Sequence, residues 1–107
     1  MDLISVLVDD VAPCEVGPGC LRRDLPGAPG VRAWIVDLAP GAEWPYDDVH
    51  DTPEQFLVVS GELIEAGEVY RAGSYLAYAA GTRHRPRTVT GVRLFGVNLS
   101  RPRVAGS

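Results

Sequence analysis

The feature that most constrains this chain is the regular interruption of its apolar residues by turn-forming pairs. Gly27–Gly30, Pro40-Gly41, Ser60-Gly61, Ala66-Gly67, Ala72-Gly73, Ala80-Gly81 and Gly91 punctuate the sequence, leaving segments of about eight to twelve residues, a strand-and-turn spacing. Between them lie the short runs Leu3–Val8, Val31–Leu38, Gln55–Val59, Glu62–Glu65, Ser74–Ala79 and Val92–Leu99. Several are rich in Val, Leu, Tyr and Phe, residues that fit a half-buried pleated surface. Apolar positions at helical spacing are scarce. Short strands at this interval predict an all-β antiparallel barrel or sandwich. The 107 residues suit one domain, and the 9 prolines and 12 glycines are spread without a linker, repeat or low-complexity tract.

Charge narrows the partners. The formal charge is −4, and all 10 cationic side chains are arginines. An acidic balance argues against nucleic acid, where a basic face supplies most of the affinity. The longest apolar run, Leu3–Val8, is broken by Ser5 and ends at Asp9-Asp10, too short for a membrane span and without the basic flank of a signal peptide. A cytoplasmic location is the expectation, with no membrane partner. Cys14 and Cys20, around Gly17-Pro18-Gly19, read as free thiols in that compartment.

The chemistry-bearing residues cluster at run ends. Asp48, His50 and Glu54 precede the apolar run Phe56–Val59. Residues two apart in a strand share a face, so Asp48 and His50 can both project inward, and period-2 alternation favours Asp48 over Asp47. Glu54 rejoins them if the chain bends at Pro53. His84, the second of 2 histidines, follows the Ala80-Gly81 turn. Two imidazoles with one or two carboxylates form a candidate divalent metal site: a 2-His-1-carboxylate face suits Fe(II), and Zn, Mn and Ni accept similar donors. The alternative is that both histidines are ordinary polar residues of a metal-free β domain.

The wider pattern resembles the two cupin motifs. His50, Glu54 and Gly61 match the second half of the first motif, and Gly73, Ala79, Gly81 and His84 match the second. The string Gly61 to Pro86 is most similar to ChrR-like cupins, the group that includes the C-terminal domain of ChrR anti-sigma factors and relatives of acetylacetone-cleaving dioxygenases. The resemblance spans roughly Val31 to Leu99. It implies a small single-domain cupin (jelly-roll) barrel with one divalent metal ion, Fe2+ as first choice and Zn2+, Mn2+ or Ni2+ as alternatives, held by His50, Glu54 and His84. Three positions depart from the pattern. Asp48 replaces the usual first histidine, Ala79 a proline and Thr88 an asparagine. Asp48 is then a fourth ligand, an unligated base beside the metal, or the mark of a decayed site.

The remaining features bear on substrate and assembly. Arg83, Arg85 and Arg87 alternate around His84 and are expected to point outward if it points in, with Pro86 marking an edge or bulge. Trp34, Tyr46, Phe56 and Phe95 are the candidate walls of a substrate pocket. The resulting expectation is an enzyme acting on a small oxygen-chelating molecule in secondary metabolism, with Glu54 or Asp48 moving a proton. The reaction would be dioxygenase-type cleavage with iron, or isomerisation, cyclisation or elimination with zinc. The alternative is a non-catalytic ligand- or metal-sensing module. The run Leu3–Val8 is expected to pair as a strand with a sheet edge, with the dimer interface as a candidate place for it, and a homodimer is expected.

Overall fold

The computed structural model describes residues 3–49 and 51–99. Its nine strands, in chain order, are β1 (Cys14–Gly17), β2 (Cys20–Leu25), β3 (Val31–Leu38), β4 (Asp48–Val49), β5 (Glu54–Glu65), β6 (Glu68–Arg71), β7 (Tyr75–Tyr78), β8 (Arg83–His84) and β9 (Val92–Leu99). Seven form one antiparallel sheet in the order β1-β2-β3-β9-β5-β6, with β7 also pairing β5, while β4 and β8 make a separate two-stranded sheet. The all-β antiparallel architecture is the one the turn spacing predicts, and β3 and β9 coincide with the apolar runs over the same residues. Among the described residues no helix is long and apolar enough to cross a membrane.

Alternation sorts the side chains. In β5, Glu54, Phe56 and Val58 are buried and Gln55 and Leu57 exposed, and β9 buries Val92, Leu94 and Gly96. These residues join Trp34, Val36, Leu38, Trp44, Leu63, Leu76 and Cys20 in one core. Gly96 belongs there because a Cβ on it would overlap the Trp34 ring. The centre of the sheet accordingly has one indole laid across a strand with no side chain of its own.

Three sequence expectations need correction. Ser60-Gly61 does not separate two strands: β5 runs continuously to Glu65, with a bulge between Val58 and Ser60 where the pairing to β9 shifts. A bulge bends a long strand without ending it, and Gly61 supplies the positive φ of 75° at a point where a Cβ would overlap the Gly91 carbonyl. The N-terminal run Leu3–Val8 is not a strand. Residues 3–7 have no regular structure, and Val8–Asp10 form a single 3-10 turn. The strand that pairs β2 is β1, and Leu3, Ile4, Val6 and Leu7 are exposed. Polar contacts anchor the segment instead, with Arg23 Nε donating to the Val11 carbonyl at 3.0 Å and Arg93 to Asp9 at 2.8 Å. Phe95 is no cavity wall. It lies between buried Leu94 and Gly96, so the strand's period turns it to the outer face, 37% exposed.

Candidate metal centre and its cavity

Three short pieces of chain bring the donors together. Asp48 in β4 is the direct cross-strand partner of His84 in β8. Glu54 opens β5, paired with Tyr78 on one side and Asn98 on the other. One ligand atom from each of Asp48, Glu54 and His84 lies within 4.8 Å of the others. His84 and Glu54 are buried, their side chains 4% and 5% exposed, with Nε2 3.7 Å from Glu54 Oε1. His50 lies outside the described residues.

The walls follow from the same alternation. A cavity of about 480 Å³ opens over these donors, lined by Trp34, Phe56, Trp44 and Leu94 and, toward its mouth, by Tyr46, Arg22 and Arg32. Trp34 and Phe56 pack with ring centroids 6.1 Å apart, and Tyr46 meets Trp44 edge-on at 5.9 Å. Of the four expected wall residues, Trp34, Tyr46 and Phe56 line this space. Asp47 points elsewhere, 3.8 Å from Arg83 on the surface. Arg83, Arg85 and Arg87 are all exposed, and Arg85 is held by Glu43 and by the Trp44 carbonyl.

Polar residues that the sequence reading passed over support Glu54 and His84. Trp34 Nε1 donates to Asn98 Oδ1 at 2.6 Å, and Asn98 Nδ2 donates to Glu54 Oε2 at 3.3 Å. The indole thus fixes the amide's orientation, and the amide fixes the carboxylate. A polar residue at the parity of Val92, Leu94 and Gly96 in the run Val92–Leu99 was the available signal for Asn98. Tyr78 stacks on the His84 ring at 4.3 Å and 8°. Burial, reinforced by the Glu65 and Glu54 charges, pushes the Tyr78 phenol far above its ordinary range, so it stays a neutral donor. Thr88, at the family's asparagine position, is buried and donates to the Glu62 carbonyl at 2.6 Å, a role in holding β5.

These residues fit a divalent cation. Two oxygen donors and an imidazole converge at one end of a cavity, and two of the three are almost fully buried. Buried carboxylates are costly unless a cation or hydrogen bonds compensate them. The mixed oxygen and nitrogen set accepts Fe, Zn, Mn or Ni. Cys14 and Cys20 take no part. Both are free, Cys14 exposed and Cys20 fully buried, and burial raises the Cys20 thiol.

Comparison with known proteins places this geometry in a family. Residues 3–100 match the ChrR cupin-like domain. No curated protein sequence matches the chain significantly. Among solved structures, it is similar to the polyketide cyclase RemF from Streptomyces resistomycificus (19% identity, 94% of this chain and 81% of that one, TM-score 0.81). A second is the structure of Rhodobacter sphaeroides SigE in complex with the anti-sigma ChrR (20% identity, 86% of this chain and 50% of that one, TM-score 0.77). A third is an acetylacetone dioxygenase from Acinetobacter johnsonii (14% identity, 92% of this chain and 74% of that one, TM-score 0.76). At these identities the likeness to solved structures is one of fold.

Proposed function

The chain belongs to the family of ChrR cupin-like domains, and from that premise we propose that it is a metal-dependent enzyme acting on a small molecule that chelates through adjacent oxygens. The observation that carries this reading is the convergence of Asp48, Glu54 and His84 beneath an aromatic-walled cavity of about 480 Å³, a size suited to a small organic substrate. His50, Glu54 and His84 would hold the ion, with Asp48 as a fourth donor or a base. When bound, a divalent ion supplies Lewis-acid polarisation of a carbonyl, and iron also supplies redox chemistry. Enolised 1,3-diketones, α-hydroxyketones and phenols have the required oxygens.

The chain's own residues have distinct tasks in this reading. Trp34, Phe56 and Leu94 exclude water from the reacting carbon atoms and press a flat substrate toward the donors. Asn98 holds Glu54 in one orientation, so a proton taken at Glu54 is taken at the oxygen nearer His84. Asp48, only partly buried, exchanges protons with solvent more readily and suits the role of base. Cyclisation or another redox-neutral rearrangement, and dioxygenase-type cleavage, are both within reach of this site, and a step in secondary metabolism fits either. The fold it shares with a polyketide cyclase and an acetylacetone dioxygenase supports this choice of substrate class.

The test loads the chain with Fe(II) or Zn(II) and offers 1,3-diketones and phenols, reading oxygen uptake and product mass. Turnover that disappears in the folded His50→Ala/His84→Ala double variant supports the reading, and unchanged metal content and turnover in that variant refutes it. A sensing module is the second reading, favoured by the fold shared with a ChrR–sigma complex. Saturable binding of a metabolite without turnover would select it. A cytoplasmic homodimer is proposed for either role, and a dimer mass in sedimentation at micromolar concentration is the expected result.

A further inference from the structure

One partly buried acid beside the proposed centre has no task in that reading. Glu65 closes β5, the strand that Glu54 opens, and its side chain is 11% exposed. Its Oε2 lies 3.4 Å from His84 Nδ1, while His84 Nε2 faces Glu54 across the ring. Oε2 is buried, and among the described residues it faces this ring edge, with the Tyr78 hydroxyl as the other group that interacts with Glu65. The imidazole thus sits between the two ends of one strand's acids, with the cavity on the Nε2 side.

The Tyr78 stack fixes the plane of the His84 ring but cannot choose its direction. A half-turn about the Cβ–Cγ bond keeps the plane while exchanging Nδ1 with Cδ2 and Nε2 with Cε1. The flipped ring would aim a carbon at the cavity and a carbon at Glu65. A hydrogen-bonding partner on one edge distinguishes the two arrangements, and a carboxylate at Nδ1 favours a proton there. We infer that Glu65 is a positioning residue: its carboxylate holds the His84 Nδ1 proton and thereby presents Nε2, with its lone pair, to the metal centre. Its consequence for metal binding rests on the proposed function, but its geometry does not. Loss of a carboxylate that orients a ligating imidazole weakens metal affinity by about 10–100-fold.

The experiment is nitrogen-15 NMR of the histidine rings, simplified because the chain has 2 histidines and His50→Gln assigns them. In metal-free and zinc-loaded protein, His84 should show a slowly exchanging, downfield proton on Nδ1. Glu65→Leu, similar in size but without an acceptor, should lose that signal and raise the zinc dissociation constant about 10–100-fold. Glu65→Gln, which keeps a neutral acceptor, should restore part of both. Tyr78→Phe, which keeps the stack, should retain both. If the Leu variant does not fold, the Gln variant decides: a several-fold weaker zinc affinity upholds the inference. Wild-type Nδ1 signal and wild-type zinc affinity in the folded Glu65 variants would overturn it, as would zinc bound through Nδ1. A chain that takes up no metal, yet shows a Glu65-dependent Nδ1 proton, would sink the metal reading and uphold this one.

Discussion

Two charge clusters lie on opposite sides of the seven-stranded sheet, one on its outer face and one between its inner face and the β4–β8 pair, and they are built on opposite principles. On the outer face Asp37 receives Arg23 at 2.7 Å and Arg93 at 2.8 Å, and Arg93 also reaches Asp9 at 2.8 Å. Two cations meet two anions, each bond is short, and solvent reaches the group, with Asp37 26% exposed. That cluster is complete, and it ties the strandless N-terminal segment to β2, β3 and β9. On the inner face, among the described residues, Asp48, Glu54 and Glu65 surround the single imidazole of His84, and the separations of 3.4 and 3.7 Å are longer. Anionic groups outnumber the base in a less solvated place. The outer network is charge-balanced and joined by short bonds, whereas the inner one is acid-rich and looser, the arrangement the proposed metal centre requires.

The contrast yields predictions that separate the clusters. The largest effect is metal-linked stability. A divalent ion present at a thousand times its dissociation constant should raise the unfolding free energy by about 4 kcal/mol. Urea unfolding with and without chelator reads it directly. Glu54→Gln and His84→Ala should abolish the gain, and Asp37→Ala should leave it intact.

Next, Asp37→Ala should destabilise the protein by about 1–2 kcal/mol, because two partly buried guanidinium groups lose their partner while solvent softens the loss. The urea midpoint should move and metal uptake should not.

The smallest effect is on the acid side. Arg93, by hydrogen bond and charge, holds the Asp9 carboxyl below its ordinary 3.8. A depressed folded-state value means that the contribution is complete above that ordinary value and is lost as pH falls through the lower, folded one. The melting-temperature difference between wild type and Asp9→Asn should therefore be greatest above pH 4 or so and shrink toward zero in stronger acid. A difference constant with pH would show that the Arg93 contact does not persist in solution.

What the sequence made legible follows the reach of each signal. Turn spacing and apolar runs located β3 and β9, and aromatic character placed Trp34 and Phe56 inside. It placed Phe95 wrongly, since an aromatic side chain reads as interior whichever parity it has. Leu3–Val8 read as a strand from its apolar residues alone, yet a strand also needs cross-strand pairing, and it is β1 that pairs β2, as a hairpin. That hairpin was itself hidden by Arg22, Arg23 and Asp24 in a strand whose outer face carries charge. Glu54 and His84 stood out as donors beside turns. Asn98, Tyr78 and Glu65 did not, for their roles depend on a fold that brings the two ends of β5 to either side of one imidazole.

The most direct test of the central claim is metal content per chain, measured by mass spectrometry on untagged protein purified without chelator, for wild type, His84→Ala and Asp37→Ala. The account predicts near one divalent ion per chain in wild type and Asp37→Ala, and none in His84→Ala. Wild-type protein that holds no metal even after reconstitution would contradict it, and would make the acid-rich cluster around His84 a feature of the fold alone.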